Sequence, residues 1–212
     1  MVSQEILVLL SSSAIISAFY IQGQAYFRPA IYAQAVQSLV ISAIAFFLGL
    51  TLSSPDYIAL GLAVVVLRSV LVTFFLFRGL RKRPGIREST RGVASELTAS
   101  LAFFTAIMVV LYYFFVAKLG VFTEAGNNIL LLFAIALFFQ GLFLMASRRS
   151  TIFQFLGYIE EENAVVLLGV FLLPIPFLVE LSIFLDVLGL VVVSSVITLE
   201  KPEHARLEEL RG

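Results

Sequence analysis

Apolar runs of about 20 residues recur along almost the whole of this chain of 212 residues. A transmembrane helix needs about 20 consecutive, mostly apolar residues. Seven stretches meet that requirement: 5–22, 32–52, 57–79, 95–117, 127–146, 152–173 and 175–198. The pattern therefore predicts an all-α integral membrane protein with about seven transmembrane helices. We expect the first span to be retained rather than cleaved as a signal peptide, because no basic segment precedes it and Glu5 comes before its apolar run.

Composition limits the function classes that remain. Only 13% of the residues are charged, against about 25% in an average soluble domain, which excludes an ordinary soluble enzyme. The net charge is zero and no basic domain is set apart, so nucleic acid is not an expected partner, whereas lipid is. Cysteine is absent and the one histidine, His204, lies in the polar tail, so neither a thiolate site nor a histidine cluster for a metal is expected. No phosphate-binding loop or nucleophile motif occurs, so catalysis by this chain alone, or a cofactor within it, is not expected.

Basic residues predict the orientation, because they concentrate in cytoplasmic loops. Every second loop between spans lies on the same side of the membrane. The loops on one side, with the adjoining helix ends and the C-terminal tail, contain twelve of the 14 basic residues: Arg28, Arg78, Arg81, Lys82, Arg83, Arg87, Arg91, Arg148, Arg149, Lys201, Arg206 and Arg211. The opposite side has Lys118 alone. Seven spans with the N-terminus outside and the C-terminus in the cytoplasm fit this asymmetry. An even number of spans, with the N-terminus inside, is the alternative.

With this orientation, the chain divides into three segments. Residues 1–117 form four helices with a basic cytoplasmic loop at 80–94, residues 118–199 form a three-helix segment, and residues 200–212 form a cytoplasmic tail.

Charged residues at membrane depth are the candidate functional residues. Each costs about 2.5–3.5 kcal/mol on insertion scales and therefore usually faces a bundle interior or a hydrated path. The candidates are Arg68 in span three, Glu160, Glu161 and Glu162 in span six, and Glu180 and Asp186 in span seven. Consecutive helical residues are about 100° apart, so the three adjacent glutamates cannot share one pocket. Glu96 opens span four, where the helix dipole favours a carboxylate, and we interpret it as structural.

Two interpretations of these charges remain open. In the first, they form a proton path in which Arg68, an arginine that stays protonated, is a fixed positive charge. In the second, an inert pair between Arg68 and a carboxylate joins helices, and the glutamates lie near the cytoplasmic surface or pair with a neighbouring subunit. Polar residues at the same depth either hold water between such sites or form interhelical hydrogen bonds: Gln37, Ser38, Gln140, Gln154 and Asn163.

The segment SRRSTIFQFLGYIEEENAVVLLG, residues 147–169, resembles component E of hydrogenase-4 type complexes. The likeness extends to YAQAVQSLV (32–40), VVLRSVLVTFF (65–75) and LVELSIFLDVLGLVVV (178–193). Spans five to seven also resemble, more weakly, the K chain of respiratory complex I and the C chain of multisubunit cation/proton antiporters. By position, Glu162 and Asn163 match the family's Glu-Asn pair, Asp186 takes about the place of the K chain's second acid, and Arg68 stands where the family has lysine.

The resemblance implies a non-catalytic membrane subunit of a complex-I-like assembly in a prokaryotic plasma membrane, commonly a group 4 [NiFe] hydrogenase. Its partners would be antiporter-like membrane subunits and a hydrogenase-type peripheral arm, with nickel, iron and iron–sulfur clusters on those other subunits. Glu162 and Asp186 would carry protons, with Glu160 or Glu161 at the cytoplasmic approach and Glu180 toward the exterior. A self-contained secondary transporter and a structural spacer without ion conduction are the two alternatives.

Overall fold

The computed structural model describes residues 2–80, 92–114, 127–172 and 175–199, which form seven helices and no β-strand. The described part of the chain thus confirms the all-helical prediction. We number the helices α1 (Val2–Gln22), α2 (Phe27–Leu52), α3 (Pro55–Leu80), α4 (Val93–Leu111), α5 (Asn127–Ser147), α6 (Thr151–Leu172) and α7 (Ile175–Leu199).

Five of these helices, α1 to α5, are long and apolar enough to cross a membrane. They correspond to the first five predicted spans and indicate a multi-pass membrane protein. Helices α6 and α7 have 22 and 25 residues and contain the candidate acidic residues. The basic loop from residue 81 to 91, Lys118 and the tail with His204 lie outside the described residues.

Aromatic and amide contacts define one end of the bundle. The rings of Phe27 in α2 and Phe153 in α6 lie 5.4 Å apart, and those of Tyr32 in α2 and Phe77 in α3 lie 4.8 Å apart. Arg148, between α5 and α6, donates a hydrogen bond to the carbonyl of Gln22 at the end of α1. We call this the Arg148 end. It brings together the end of α1, the start of α2, the end of α3 and the turn from α5 to α6.

Helices α5 and α6 form the tightest antiparallel pair. A Cβ atom at Gly141 would lie 2.7 Å from the carbonyl oxygen of Gly157 and 2.7 Å from Cγ of Glu161. Only glycine allows the two backbones to approach so closely, which is the usual role of small residues between membrane helices. Helix α6 also packs on α2 and α7, so side chains on several of its faces point into protein.

Helix α3 changes its winding around Arg68. Val65–Val72 is π-helical, between the α-helical segments Pro55–Val64 and Thr73–Leu80. Such segments are rare and often occur at functional sites. Arg68 lies in this segment and is almost fully buried, with 1% of its surface exposed.

Candidate functional site

Three charged side chains from different helices meet inside the bundle. Nε of Arg68 in α3 donates a hydrogen bond of 2.5 Å to Oδ1 of Asp186 in α7. The same nitrogen lies 3.6 Å from Oε2 of Glu162 in α6. The structure thus brings together Arg68, Glu162 and Asp186, which the sequence placed in three separate spans.

Two uncharged side chains hold the remaining guanidinium nitrogens. Nη1 of Arg68 donates to Oδ1 of Asn163 at 3.2 Å, and Nη2 donates to Oγ of Ser182 at 3.0 Å. All three guanidinium nitrogens therefore have an acceptor, which fixes the orientation of the planar group. We call these five residues the central cluster: Arg68, Glu162, Asn163, Ser182 and Asp186.

An amide network continues from the central cluster to α2 and α1. Nδ2 of Asn163 donates to Oε1 of Gln37 at 3.0 Å and to Oγ of Ser38 at 3.1 Å. Oε1 of Gln37 also accepts a bond from Nε2 of Gln34 at 2.9 Å, and Nε2 of Gln37 donates to the carbonyl of Ala14 at 3.1 Å. Gln37 and Asn163 thus make direct interhelical hydrogen bonds.

Each charged member of the central cluster lies about halfway along its helix. Arg68 is 13 residues from the start of α3, and Glu162 and Asp186 are each 11 residues from the start of α6 and α7. At 1.5 Å per residue these positions lie roughly 16–20 Å from the helix ends. A bilayer core is about 30 Å thick, so the cluster would lie near its midplane.

The charges of the central cluster do not balance. Arg68 contributes one positive charge, and two ionised carboxylates would contribute two negative charges. Glu162 is 4% exposed and Asp186 is 1% exposed. Within the described residues, Oε1 of Glu162 and Oδ2 of Asp186 have no hydrogen-bonding partner. Because an uncompensated charge in a buried site is costly, this arrangement favours one proton on the pair of carboxylates.

Glu161 and Glu162 face different helices, as their 100° separation predicts. Glu161 packs against Gly141 of α5, whereas Glu162 faces Arg68. Glu160 is fully buried, and neither of its carboxylate oxygens has a hydrogen-bonding partner among the described residues. Glu160 and Glu162 are thus enclosed by the helices of this chain.

Three predicted site residues lie apart from the central cluster. Glu180 is on α7 but exposed, because six residues of helix rotate it about 120° from Asp186. Gln154 is also exposed, and its Nε2 donates to the carbonyl of Arg148 at 3.0 Å, so it belongs to the turn before α6.

Gln140, the third of these residues, belongs to a separate polar group. Its carbonyl accepts a bond of 3.2 Å from Nε2 of Gln22 in α1, and its Oε1 accepts one of 2.9 Å from Oγ of Ser100 in α4. We call Gln22, Ser100 and Gln140 the amide cluster. It joins helices near the Arg148 end, and its members are buried.

Sequence reasoning missed Ser182, Gln34 and Gly189. Ser182 precedes Asp186 by four residues, so the helical repeat alone places both on one face. Gln34 precedes Gln37 by three residues, for which the same signal was present. A Cβ at Gly189 would lie 3.1 Å from Cε1 of Tyr158 and 3.7 Å from Oε1 of Glu162. Gly189 thus leaves space for the ring of Tyr158 beside Glu162, and no pattern in the sequence signals that role.

Within the described segments, no group of three or more His, Asp or Glu side chains is placed to hold a metal ion. No protein-family model, curated protein or solved structure matches this chain.

Proposed function

We propose that this chain is a non-catalytic, seven-span membrane subunit of a complex-I-like, redox-driven ion-translocating assembly. Within it, the central cluster binds and releases one proton near the middle of the membrane. The assembly is a membrane-bound [NiFe] hydrogenase in this proposal, with antiporter-like membrane subunits and a hydrogenase-type peripheral arm as partners. The N-terminus lies outside and the C-terminus lies in the cytoplasm of a prokaryotic cell.

The observation that carries the proposal is the charge count around Arg68. One guanidinium lies within 2.5 Å of one carboxylate oxygen and 3.6 Å of another. A cluster with one positive and two acidic groups is neutral when it holds one proton and has a charge of −1 when it does not. It therefore becomes neutral by binding a single proton, whereas a balanced pair of one guanidinium and one carboxylate is already neutral and would gain a net positive charge.

The role proposed for Arg68 is to set the local potential rather than to carry the proton. An arginine stays protonated inside proteins. Protons then exchange on Glu162 and Asp186, while the positive charge of Arg68 stabilises whichever carboxylate is ionised.

Access to the cluster is the step that the partners control in this proposal. Glu162 and Asp186 are nearly fully buried in the chain, so the cluster is an enclosed proton store rather than an open channel. The polar side chains beside it, from Asn163 to Gln37 and Gln34, provide a route that water can follow when a partner shifts the field or the helices.

A structural spacer is the second candidate, and a specific observation favours it. The hydrogen bonds of Arg68 join α3 to α6 through Asn163 and to α7 through Asp186 and Ser182. Such contacts hold helices together whether or not a proton moves. The proton-binding subunit and the structural spacer predict different proton uptake when one carboxylate of the central cluster is replaced by an amide.

The test uses the native complex, purified through a tag on this chain and reconstituted in vesicles. Its partners are identified by mass spectrometry, and proton uptake is measured per electron pair while the complex turns over. We expect Glu162→Gln and Asp186→Asn each to lower the uptake about tenfold or more while the complex still assembles.

Glu180→Gln is the matched control, because it removes an exposed carboxylate from the same helix as Asp186. Its uptake should equal that of the unmodified complex. Unchanged uptake in both Glu162→Gln and Asp186→Asn would support the structural spacer instead.

A further inference from the structure

The ion taken by the central cluster is the next question, since a net charge of −1 would be neutralised by H⁺ or by Na⁺. We infer that the cluster takes a proton and excludes Na⁺, and that Arg68 is the residue that sets this specificity. The inference rests on the proposed function, because it concerns the ion bound at the same site.

The guanidinium occupies the place that a bridging cation would need. Nε of Arg68 lies 2.5 Å from Oδ1 of Asp186 and 3.6 Å from Oε2 of Glu162. A metal ion shared by the two carboxylates would have to lie in the same region, against a permanent positive charge. Because the arginine does not lose its proton, the repulsion is present in every state of the site.

The oxygens of the cluster are already used by N–H donors. Hard cations are held by several oxygens at once, from carboxylates, amides or carbonyls freed by broken helices. Here Oδ1 of Asn163 and Oγ of Ser182 accept bonds from Arg68, and Oε1 of Gln37 accepts bonds from two amides. Among the described residues, two buried carboxylate oxygens of the cluster, Oε1 of Glu162 and Oδ2 of Asp186, accept no hydrogen bond, and Oε2 of Glu162 lies 3.6 Å from Nε of Arg68.

Three carboxylate oxygens beside a guanidinium make a poor shell for a hard cation, which needs several oxygens without a neighbouring positive charge, whereas a proton needs only one oxygen. Helices α6 and α7 run past the cluster without interruption, so their carbonyls are committed to helical hydrogen bonds. The hydroxyl of Tyr158 on α6 lies beside Glu162 and donates to the carbonyl of Leu185 at 3.3 Å. Glu161 faces α5, and neither oxygen of Glu160 has a hydrogen-bonding partner among the described residues.

Replacing Arg68 should therefore change which ion the central cluster binds. Arg68→Gln leaves two carboxylates without a permanent positive charge and adds an amide oxygen. It should admit Na⁺ and raise the apparent affinity for it by about a hundredfold or more, given the energy of a unit charge some 4 Å away in a protein. Arg68→Lys keeps a positive charge and should exclude Na⁺ as the unmodified protein does.

The experiment uses the full chain in phosphatidylcholine nanodiscs with a pH indicator in weakly buffered solution. NaCl is added at constant pH, with choline chloride as the control for ionic strength, and the protons released are counted per chain. We expect no release from the unmodified chain or from Arg68→Lys, and up to one proton released from Arg68→Gln. Small acid additions then compare proton uptake, in which the unmodified chain should take up one proton more than Glu162→Gln.

Proton release from the unmodified chain on adding Na⁺, absent in Glu162→Gln, would overturn the inference. So would equal proton uptake by the unmodified chain and Glu162→Gln. If Arg68→Gln fails to fold, the unmodified chain, Arg68→Lys and Glu162→Gln still decide the question. The proposed function fails separately, through unchanged ion uptake by the native complex when Glu162 and Asp186 are replaced.

Discussion

The central cluster and the amide cluster each join three helices through buried polar side chains, but they differ in charge. The central cluster links α3, α6 and α7 around Arg68. The amide cluster links α1, α4 and α5 through Gln22, Ser100 and Gln140. Amides and aliphatic hydroxyls do not ionise near neutral pH, whereas the central cluster has one carboxylate more than it has cations.

Buried polar side chains therefore have two different roles inside this apolar bundle. Interhelical hydrogen bonds between neutral groups are worth about 0.6 kcal/mol on average in a membrane protein, so the amide cluster contributes modestly to packing. Buried charges cost far more to place, and removing one partner is strongly destabilising. A cluster that keeps such charges near the middle of its helices is better explained by function than by stability.

The largest expected effect on stability comes from removing the positive charge of Arg68. Arg68→Leu leaves two buried carboxylates uncompensated and should lower the free energy of unfolding by about 3–5 kcal/mol. The triple variant that also contains Glu162→Gln and Asp186→Asn should recover most of that loss, because no charge remains. Reversible unfolding in detergent, followed by circular dichroism, measures both, and an equal loss in the two variants would contradict this account of the cluster.

A smaller loss of stability is expected from a substitution between α5 and α6, where the amide cluster adjoins the central cluster. Gly141 follows Gln140 of the amide cluster and packs on Glu161, next to Glu162. Gly141→Ala places a Cβ 2.7 Å from the backbone of α6 and should cost about 1–3 kcal/mol through overpacking. Gly23→Ala is the matched control, because its Cβ would meet no atom closer than 3.5 Å. Thermal unfolding of the two variants should differ, and equal midpoints would show that the α5–α6 contact is looser than described.

The smallest expected effect compares two serines that each make one buried interhelical bond. Oγ of Ser182 accepts from the charged Arg68, whereas Oγ of Ser100 donates to the neutral Gln140. Bonds to charged groups contribute more than neutral ones, so Ser182→Ala should cost about 1 kcal/mol more than Ser100→Ala. Chemical unfolding of the two single variants measures the difference, which should be absent if Arg68 were not charged or not bonded to Ser182.

Much of the fold could be predicted because apolar length and helix breakers are local signals. The turn between α1 and α2 contains Gly23, and α3 begins at Pro55; glycine and proline commonly mark such boundaries. The π-helical segment of α3 could not be predicted, because the sequence around Arg68 has no proline or glycine to mark a change in winding.

The candidate site was harder to predict because partner choice depends on how helices pack. The sequence identified Arg68, Glu162 and Asp186 as charges at membrane depth, with Arg68 able to reach a carboxylate, but it did not indicate that both carboxylates meet the same guanidinium. Glu180 illustrates the opposite case. It has the same charge and helix as Asp186, and only its rotation about the helix axis separates an exposed carboxylate from a buried one.

The central claim, that Glu162 and Asp186 share one exchangeable proton beside Arg68, is tested most directly by infrared spectroscopy of the full chain in nanodiscs. The carboxyl C=O stretch is recorded as a function of pH for the unmodified chain, Glu162→Gln, Asp186→Asn and the control Glu180→Gln. The account predicts a protonated-carboxyl signal that is present in the unmodified chain and in Glu180→Gln and is lost from both cluster variants, since each leaves one carboxylate paired with Arg68. Spectra in which both cluster variants retain every carboxyl signal of the unmodified chain would contradict it.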